Sequence, residues 1–440
     1  MTQERQFRSK WGFILACVGS AVGMANVWGF PYRLGMYGGG AFLIAYLFFI
    51  VIFSFTRLAA EYAIGRRART GTLGSYAYAW EHGRNNRERT GTILGWIPLA
   101  GSMCIAIGYA IIIAYVLKAL VASVGGTLMT EDPSLWFKSF SLTPYSVIPY
   151  HLIVIVATIL TLFFGAESIE KTNKIMMPLF FVIFVILAIR ISFLDGAIEG
   201  YKFMFMPRWE ALKNPITWIF AMGQAFFSLS ITGSGMIVYG AYLSEKENIV
   251  ESAAYTGFFD TTAALVAALV MIPACCAYDM DLAGGPGLLF VIIPTILQDI
   301  PMGQLFSVIL YIAVIFGGIS SLQNMLEVVA ESLMYRFPKI RRKVMLTILA
   351  LICFVIGVNM EAIFYWGPWM DFVCIYIIPI GAMLGAISWF WIMKKEVLLD
   401  EINKGASKIY GDFWYAVGRY PYVIVTMVIN LYSLINRVSL

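Results

Sequence analysis

The residues of this chain best suited to chemistry lie where apolar runs are interrupted. Gly19-Ser20-Ala21-Val22-Gly23-Met24-Ala25-Asn26 puts small residues, two glycines and an amide near the point where one run would cross the middle of a bilayer. Ser228-Leu229-Ser230-Ile231-Thr232-Gly233-Ser234-Gly235 does the same in a later run. In hydrocarbon, backbone groups released from a helix must find another partner, so irregular chain at that depth survives only inside protein or lining a cavity. Carbonyl, amide and hydroxyl oxygens gathered there suit a hard cation. Asp260 adds a carboxylate inside a third apolar run, a position that is costly and functional by default. Paired broken helices point to a transporter.

The elements that must hold these groups follow from composition. The chain has 440 residues, 60% hydrophobic and 13% charged, and a mean hydropathy of +0.78, which excludes an ordinary soluble protein and indicates a polytopic membrane protein. At about 20 apolar residues per crossing, eleven helices are predicted near 11–37, 40–64, 92–122, 147–165, 172–194, 215–243, 255–277, 303–335, 344–359, 368–394 and 413–437. The first is too long for a signal-peptide core and reads as a retained span. The net charge of +5 resides in loops and reports topology rather than nucleic-acid binding. Arg5, Arg8 and Lys10, the arginines from Arg66 to Arg89, and the basic cluster Arg336 to Lys343 fall in alternate loops. By the excess of basic residues on the cytoplasmic side, the amino terminus is expected inside and the carboxyl terminus outside.

The first broken helix opens helices 1–5 and the second opens helices 6–10. Five crossings separate them, so an inverted repeat is predicted, with 11–194 and 215–394 as its halves and 413–437 as a peripheral helix 11, all in one transporter domain spanning 1–440. The segment 276–302, with Gly284-Gly285-Pro286-Gly287 and an apolar run after it, is expected to form an outer hairpin lying on the entrance. The six cysteines sit within or at the ends of apolar segments, where they act as small hydrophobes. The adjacent Cys275-Cys276 lack metal-site spacing, and His82 and His151 suggest no catalytic centre.

Beyond these readings, the run Gly19 to Asn26 continued by Val27-Trp28-Gly29-Phe30-Pro31, with Gly38-Gly39-Gly40-Ala41-Phe42, resembles the signature of the neurotransmitter:sodium symporter family. Glu61 with Gly65-Arg66, Gln224-Ala225-Phe226-Phe227-Ser228-Leu229-Ser230, Ser320-Ser321 and Asp400-Glu401-Ile402-Asn403-Lys404-Gly405 follow in family order through helix 11. The resemblance implies an all-α LeuT-type 5+5 inverted repeat with broken helices 1 and 6, of the eleven-helix type. The LeuT fold is itself a type case of the paired-break rule.

The resemblance further implies two sodium sites. The first comprises the Ala21 carbonyl, the Asn26 side chain, the Ser228 carbonyl and hydroxyl, and Asp260, completed by the substrate carboxylate. The second comprises the carbonyls of Gly19, Val22 and Gly317 and the hydroxyls of Ser320 and Ser321. Taken singly, each position also suits a glycine-rich helix crossing with hydroxyls bonded to their own backbone; the two clusters together favour ions. Chloride-dependent relatives bind an anion beside Tyr46, Gln224 and Ser228. Here Asp260 supplies the negative charge, so chloride independence is expected, and proton countertransport if Asp260 protonates in the empty inward state.

Monoamine carriers of the family place an aspartate at the position of Gly23, and glycine instead leaves room for a substrate carboxylate. The resemblance makes Tyr109 its hydroxyl donor, Ala21 and Ala25 neighbours of the substrate backbone, and Met24, Ile105, Phe227, Ser230, Gly233, Ser321 and Met325 the side-chain pocket. That lining suits a hydrophobic L-amino acid, aromatic ones included, as in bacterial carriers of such substrates. At the outer gate Gly29 fills the usual arginine position opposite Asp371. Arg33, one turn on, either replaces it or snorkels to the interface. At the inner gate Arg5 and Phe7 correspond to an arginine and a tryptophan, Tyr335 fills the usual aspartate position, and Glu331 is the replacement considered.

The expectation is therefore a sodium-coupled amino acid symporter of the cell membrane, monomeric or a weak homo-oligomer, with no enzymatic constellation. A sodium-dependent amino acid sensor on the same scaffold, or a cation channel, are the competing classes.

Overall fold

The computed structural model describes residues 6–84, 86–280 and 285–437, and among these it is built of helices and their connections, without strands. Six continuous helices are long and apolar enough to cross a bilayer: helix 2 (Gly40–Ala68), helix 3 (Glu88–Val124), helix 5 (Ala166–Ile191), helix 7 (Ile249–Ala277), helix 8 (Gly303–Arg336) and helix 10 (Ile363–Ile392). Helix 1 is a seventh span in two halves, Lys10–Ala21 and Ala25–Met36, bent by 60° at the break. Helix 6 runs from Pro215 to Ser228, loses helical form, and resumes over Ile237–Ala241. Helix 4 (Ile148–Leu162) and helix 9 (Arg342–Val358) are shorter. Helix 11 joins Asp412–Val417 to Val423–Asn436 through a π turn. Each predicted segment therefore has a helical counterpart in the predicted order.

The boundaries shift for local reasons. Helix 7 begins at Ile249, ahead of the predicted 255, because the Asn248 side chain caps it by accepting the Glu251 N–H at 3.2 Å. Helix 5 begins at Ala166, so Asn173 lies two turns inside it rather than at its start. The segment after helix 7 contains a short apolar helix, Leu288–Asp299. Leu288, Leu289 and Phe290 are fully buried; Phe290 stacks on Phe137 at 5.1 Å, and the Leu289 carbonyl accepts the Tyr311 hydroxyl. This stretch packs as an apolar helix against its neighbours, and none of its residues lines the cavity described below. Asp281 and Gly284 of that segment lie outside the described residues.

Two close approaches hold the second half of helix 6 against helix 2. A Cβ at Gly240 would come within 2.5 Å of the Tyr62 carbonyl oxygen, and one at Gly65 would collide with the Ile237 carbonyl, so the second half of helix 6 and the end of helix 2 meet backbone to backbone. Arg66 locks the same corner. Its guanidinium, 1% exposed, donates to Glu401 Oε1 at 2.6 Å and to the carbonyls of Glu247, Glu401 and Lys404. Two motifs far apart in sequence thus form one joint, with all-acceptor partners for a buried cation as its desolvation requires.

Candidate ion and substrate site

The break in helix 1 starts at Val22, whose backbone turns extended (φ −72, ψ 110). In an uninterrupted helix, the N–H groups of residues 23 and 24 would serve the carbonyls of residues 19 and 20. Instead the Gly23 N–H donates to Asn26 Oδ1 at 3.1 Å and the Met24 N–H to the Tyr109 oxygen at 2.9 Å. The carbonyls of Gly19 and Ser20 are thereby released. Ser321 Oγ lies 2.9 Å from the Val22 oxygen, 3.2 Å from that of Ser20 and 3.3 Å from that of Gly19. Ser320 Oγ lies 2.9 Å from the Gly317 oxygen, and Gly317 faces the Val22 oxygen. The five residues of the second predicted ion set are one cluster.

The first set also converges. Asn26 Nδ2 lies 2.8 Å from Asp260 Oδ1 and 3.2 Å from Ser228 Oγ, and Ser228 Oγ donates to Asp260 Oδ2 at 2.7 Å. Tyr46 OH is 3.4 Å from Ser228 Oγ. Asn26, Tyr46, Ser228 and Asp260 are all fully buried. No basic side chain pairs with Asp260 among the described residues, so its carboxylate is desolvated with neutral donors alone, an arrangement that favours a bound cation. The Ser228 carbonyl is free of its helical partner, because the Thr232 N–H turns to the Ser230 oxygen at 2.9 Å. Ala21 is the last residue of the first half of helix 1.

Ser230 joins the two breaks. Its backbone is left-handed (φ 53), which disfavours a non-glycine residue by roughly 1–2 kcal/mol, and its hydroxyl donates to the Ser20 oxygen at 3.2 Å. The Gly233 and Met236 N–H groups, which precede the second half of helix 6, donate to the two carboxylate oxygens of Glu61 at 3.2 and 3.3 Å.

A cavity of about 210 Å³ is lined by Met24, Ala25, Trp28, Gly29, Arg33, Tyr109, Ile112, Phe227, Trp366, Gly367, Met370, Asp371 and Cys374. It is smaller than the roughly 300–1,000 Å³ of drug-sized sites. Of the predicted pocket residues, Met24, Ala25, Tyr109 and Phe227 line it. A Cβ at Gly23 would lie 2.7 Å from Ser321 Oγ and collide with the Tyr109 hydroxyl, so Gly23 leaves room for these two groups at the floor. Ile105 is buried and Met325 packs against the core. Gly233 lies elsewhere, against the Gly381 carbonyl and Tyr76.

The helix 10 wall of this cavity is pinned to helix 3, with Trp366 Nε1 donating to the Gly108 oxygen and Trp369 Nε1 to that of Cys104, at 2.8 and 2.9 Å. Arg33 and Asp371 both line the cavity but form no ion pair. Arg33 turns inward and donates to Gln224 Oε1, while Gln224 Nε2 donates to the Ala25 oxygen at 3.0 Å. At the opposite end, Glu331 meets Tyr242 OH at 3.4 Å, and Tyr242 OH donates to Glu327 at 2.5 Å. Arg342 donates to Glu327 at 2.5 Å and to the Leu162 carbonyl at 2.8 Å. Phe7 packs edge-on against Tyr239 and Tyr242; Arg5 lies outside the described residues.

Sequence reasoning did not assign Arg57, Glu61, Asn173, Tyr242 or Glu327 to any role. A signal was present for several of them, since the rule that singles out Asp260 as a charge within a membrane helix applies equally to Arg57, Glu61 and Glu327.

Comparison with known proteins places this geometry. The Sodium:neurotransmitter symporter family matches residues 4–140 and 141–440. The chain is 30% identical over 453 residues to the uncharacterized sodium-dependent transporter YhdH of Bacillus subtilis (strain 168), covering 98% of each. It is 29% identical over 455 residues to an uncharacterized sodium-dependent transporter of Methanocaldococcus jannaschii, covering 98% of this chain and 90% of that one. The crystal structure of MhsT in complex with L-phenylalanine superposes with a TM-score of 0.86 at 30% identity, over 98% of this chain and 99% of that chain. The fold is therefore of the LeuT type.

Proposed function

Because the chain belongs to the sodium:neurotransmitter symporter family and is a multi-pass membrane protein, we propose that it imports hydrophobic L-amino acids, aromatic ones included, by sodium symport with two ion sites and without chloride. The observation that carries this reading is the fully buried Asp260 carboxylate, held by Asn26 and Ser228 beside carbonyls that both helix breaks release. The Asp260 carboxylate, the Ser228 hydroxyl and the released carbonyls are oxygens, which suit a hard cation. The L-phenylalanine of the structural neighbour and the apolar cavity lined by Met24, Ile112 and Phe227 support the substrate class.

In this reading the Tyr109 oxygen accepts the Met24 N–H, which leaves the hydroxyl proton for the substrate carboxylate. That carboxylate completes the first sodium site. Each ligand then raises the affinity of the other by the same factor. The negative charge of Asp260 takes the place of an anion beside Tyr46 and Gln224. The end bearing Arg8, Arg66 and Arg342 faces the cytoplasm, by its excess of basic residues, with the amino terminus inside and the carboxyl terminus outside. The halves 11–194 and 215–394 act as an inverted repeat, with helices 1, 2, 6 and 7 rocking against helices 3, 4, 8 and 9 around the fixed site. The membrane potential adds about 2.3 kcal/mol per charge per 100 mV.

The test is uptake of radiolabelled tryptophan, tyrosine and leucine into proteoliposomes under a sodium gradient, with potassium replacing sodium and gluconate replacing chloride. Accumulation that needs sodium, ignores chloride and disappears in Asp260→Asn is expected. Sodium-dependent binding without accumulation would favour a sensor, and indifference to sodium would overturn both ion sites.

A further inference from the structure

Asn173 on helix 5 is fully buried, and its Oδ1 has no hydrogen-bond partner. The orientation of its amide is imposed by its neighbours. Nδ2 donates to the Ile169 carbonyl at 2.9 Å and to Gln323 Oε1 at 3.0 Å. Rotating the amide by half a turn would aim Oδ1 at the Ile169 carbonyl, oxygen against oxygen. Gln323 is held in turn by its donation to Thr172 Oγ1 at 3.0 Å. The oxygen is thereby directed at helix 1, where it occupies the space that a side chain at Gly19 would fill, beside Ser320 Cβ.

That spot adjoins the cluster of Gly19, Val22, Gly317, Ser320 and Ser321. The surroundings are rich in lone pairs and poor in protons: the Ser321 hydroxyl, with one proton, lies within hydrogen-bonding distance of three carbonyls, and the Ser320 hydroxyl is directed to Gly317. A buried amide oxygen without a donor is unfavourable, and a cation relieves it together with the released carbonyls. We infer that Asn173 supplies a further oxygen to the second sodium site, directly or through one ordered water, and so ties helix 5 to the ion. The inference rests on the sodium reading given above and extends it to a helix that contributes none of the five residues of that set.

The experiment measures binding of radioactive sodium to purified protein in detergent without amino acid, for wild type, Asn173→Ala, Asn173→Asp and Ser321→Ala, each checked by thermal unfolding. Tryptophan affinity is measured in parallel at saturating sodium. Asn173→Ala is expected to raise the half-saturating sodium concentration about tenfold, the scale of losing a supporting group at a metal site, with tryptophan affinity at saturating sodium within about twofold. Asn173→Asp, which restores the oxygen and adds charge, is expected to recover wild-type sodium affinity or exceed it. If folded Asn173→Ala keeps wild-type sodium affinity while Ser321→Ala loses it, the second site stands and the role of Asn173 falls. If Asn173→Asp fails to recover what Asn173→Ala loses, the effect is one of packing and the inference is also overturned. Absence of sodium binding by wild type would remove both readings.

Discussion

Arg57 and Glu61 form an ion pair of 2.6 Å on helix 2, one turn apart, with both side chains fully buried. The helix passes through a π turn at Ser54–Leu58, and the guanidinium lies 5.5 Å from the Tyr422 ring and 5.9 Å from that of Trp389. Glu61 in turn holds the N–H groups that restart helix 6. The pair therefore connects helices 10 and 11 to the broken helix that carries Ser228.

Removing one partner leaves a buried charge uncompensated, which destabilises by on the order of 3–5 kcal/mol, whereas replacing both is far milder. Glu61→Gln is expected to lower the unfolding temperature in detergent sharply, and Arg57→Met with Glu61→Gln to recover most of the loss. A double variant as unstable as the single one would show that the charges themselves are not what matters.

Tyr109→Phe removes both the acceptor of the Met24 N–H and the donor proposed for the substrate carboxylate. A hydrogen bond to a charged group contributes about 1.5–3 kcal/mol, so tryptophan affinity should fall by roughly 10- to 100-fold at saturating sodium. Equilibrium binding of labelled tryptophan checks this, and an unchanged affinity would remove Tyr109 from carboxylate recognition.

Gly23→Ala would put a methyl group 2.7 Å from Ser321 Oγ and into the Tyr109 hydroxyl. Because these two groups are the ones proposed to serve the second ion site and the substrate carboxylate, sodium and amino acid binding should fail together. Gly411→Ala, where nothing lies within 4 Å, provides the matched control. Retention of either ligand by Gly23→Ala would separate the two sites.

Tyr242→Phe breaks the donation from helix 6 to Glu327 and Glu331 on helix 8 while leaving Arg342 on Glu327. Loosening that end should expose the first half of helix 1, read as faster alkylation of the buried Cys17 followed by peptide mass spectrometry. The rate is expected to rise severalfold without sodium and to return toward wild type with sodium and tryptophan. A rate equal to that of wild type in all conditions would show that this hydroxyl does not close the inner end.

Much of the architecture was legible because its signals are local. A run of apolar residues must be helical in lipid, since only a helix satisfies its own backbone there, and glycines, serines and Asn26 mark where helices 1 and 6 stop doing so. Residues on those breaks, together with Asp260, could be named from their types and from family resemblance. Gly233 has a type compatible with a pocket, and its left-handed backbone (φ 80) lies against the Gly381 carbonyl of helix 10, a neighbour that no local signal announces. For Arg33 the sequence admits the outer gate opposite Asp371 or the membrane interface, and the structure places its guanidinium on Gln224.

Sequence alone determined the order of the helices, the two breaks and the buried acid, since each depends on a few neighbouring residues and on hydrocarbon as solvent. Tertiary structure decided what each freed group meets: Asn26 and Ser228 for Asp260, Glu61 for the restarted helix 6, Tyr242 for Glu327, and Gly19 for the lone oxygen of Asn173. Those pairings join residues distant along the chain, and hydrogen bonding is short-ranged and directional. Only the packing of one helix against another brings such atoms within reach and fixes which way each polar group points.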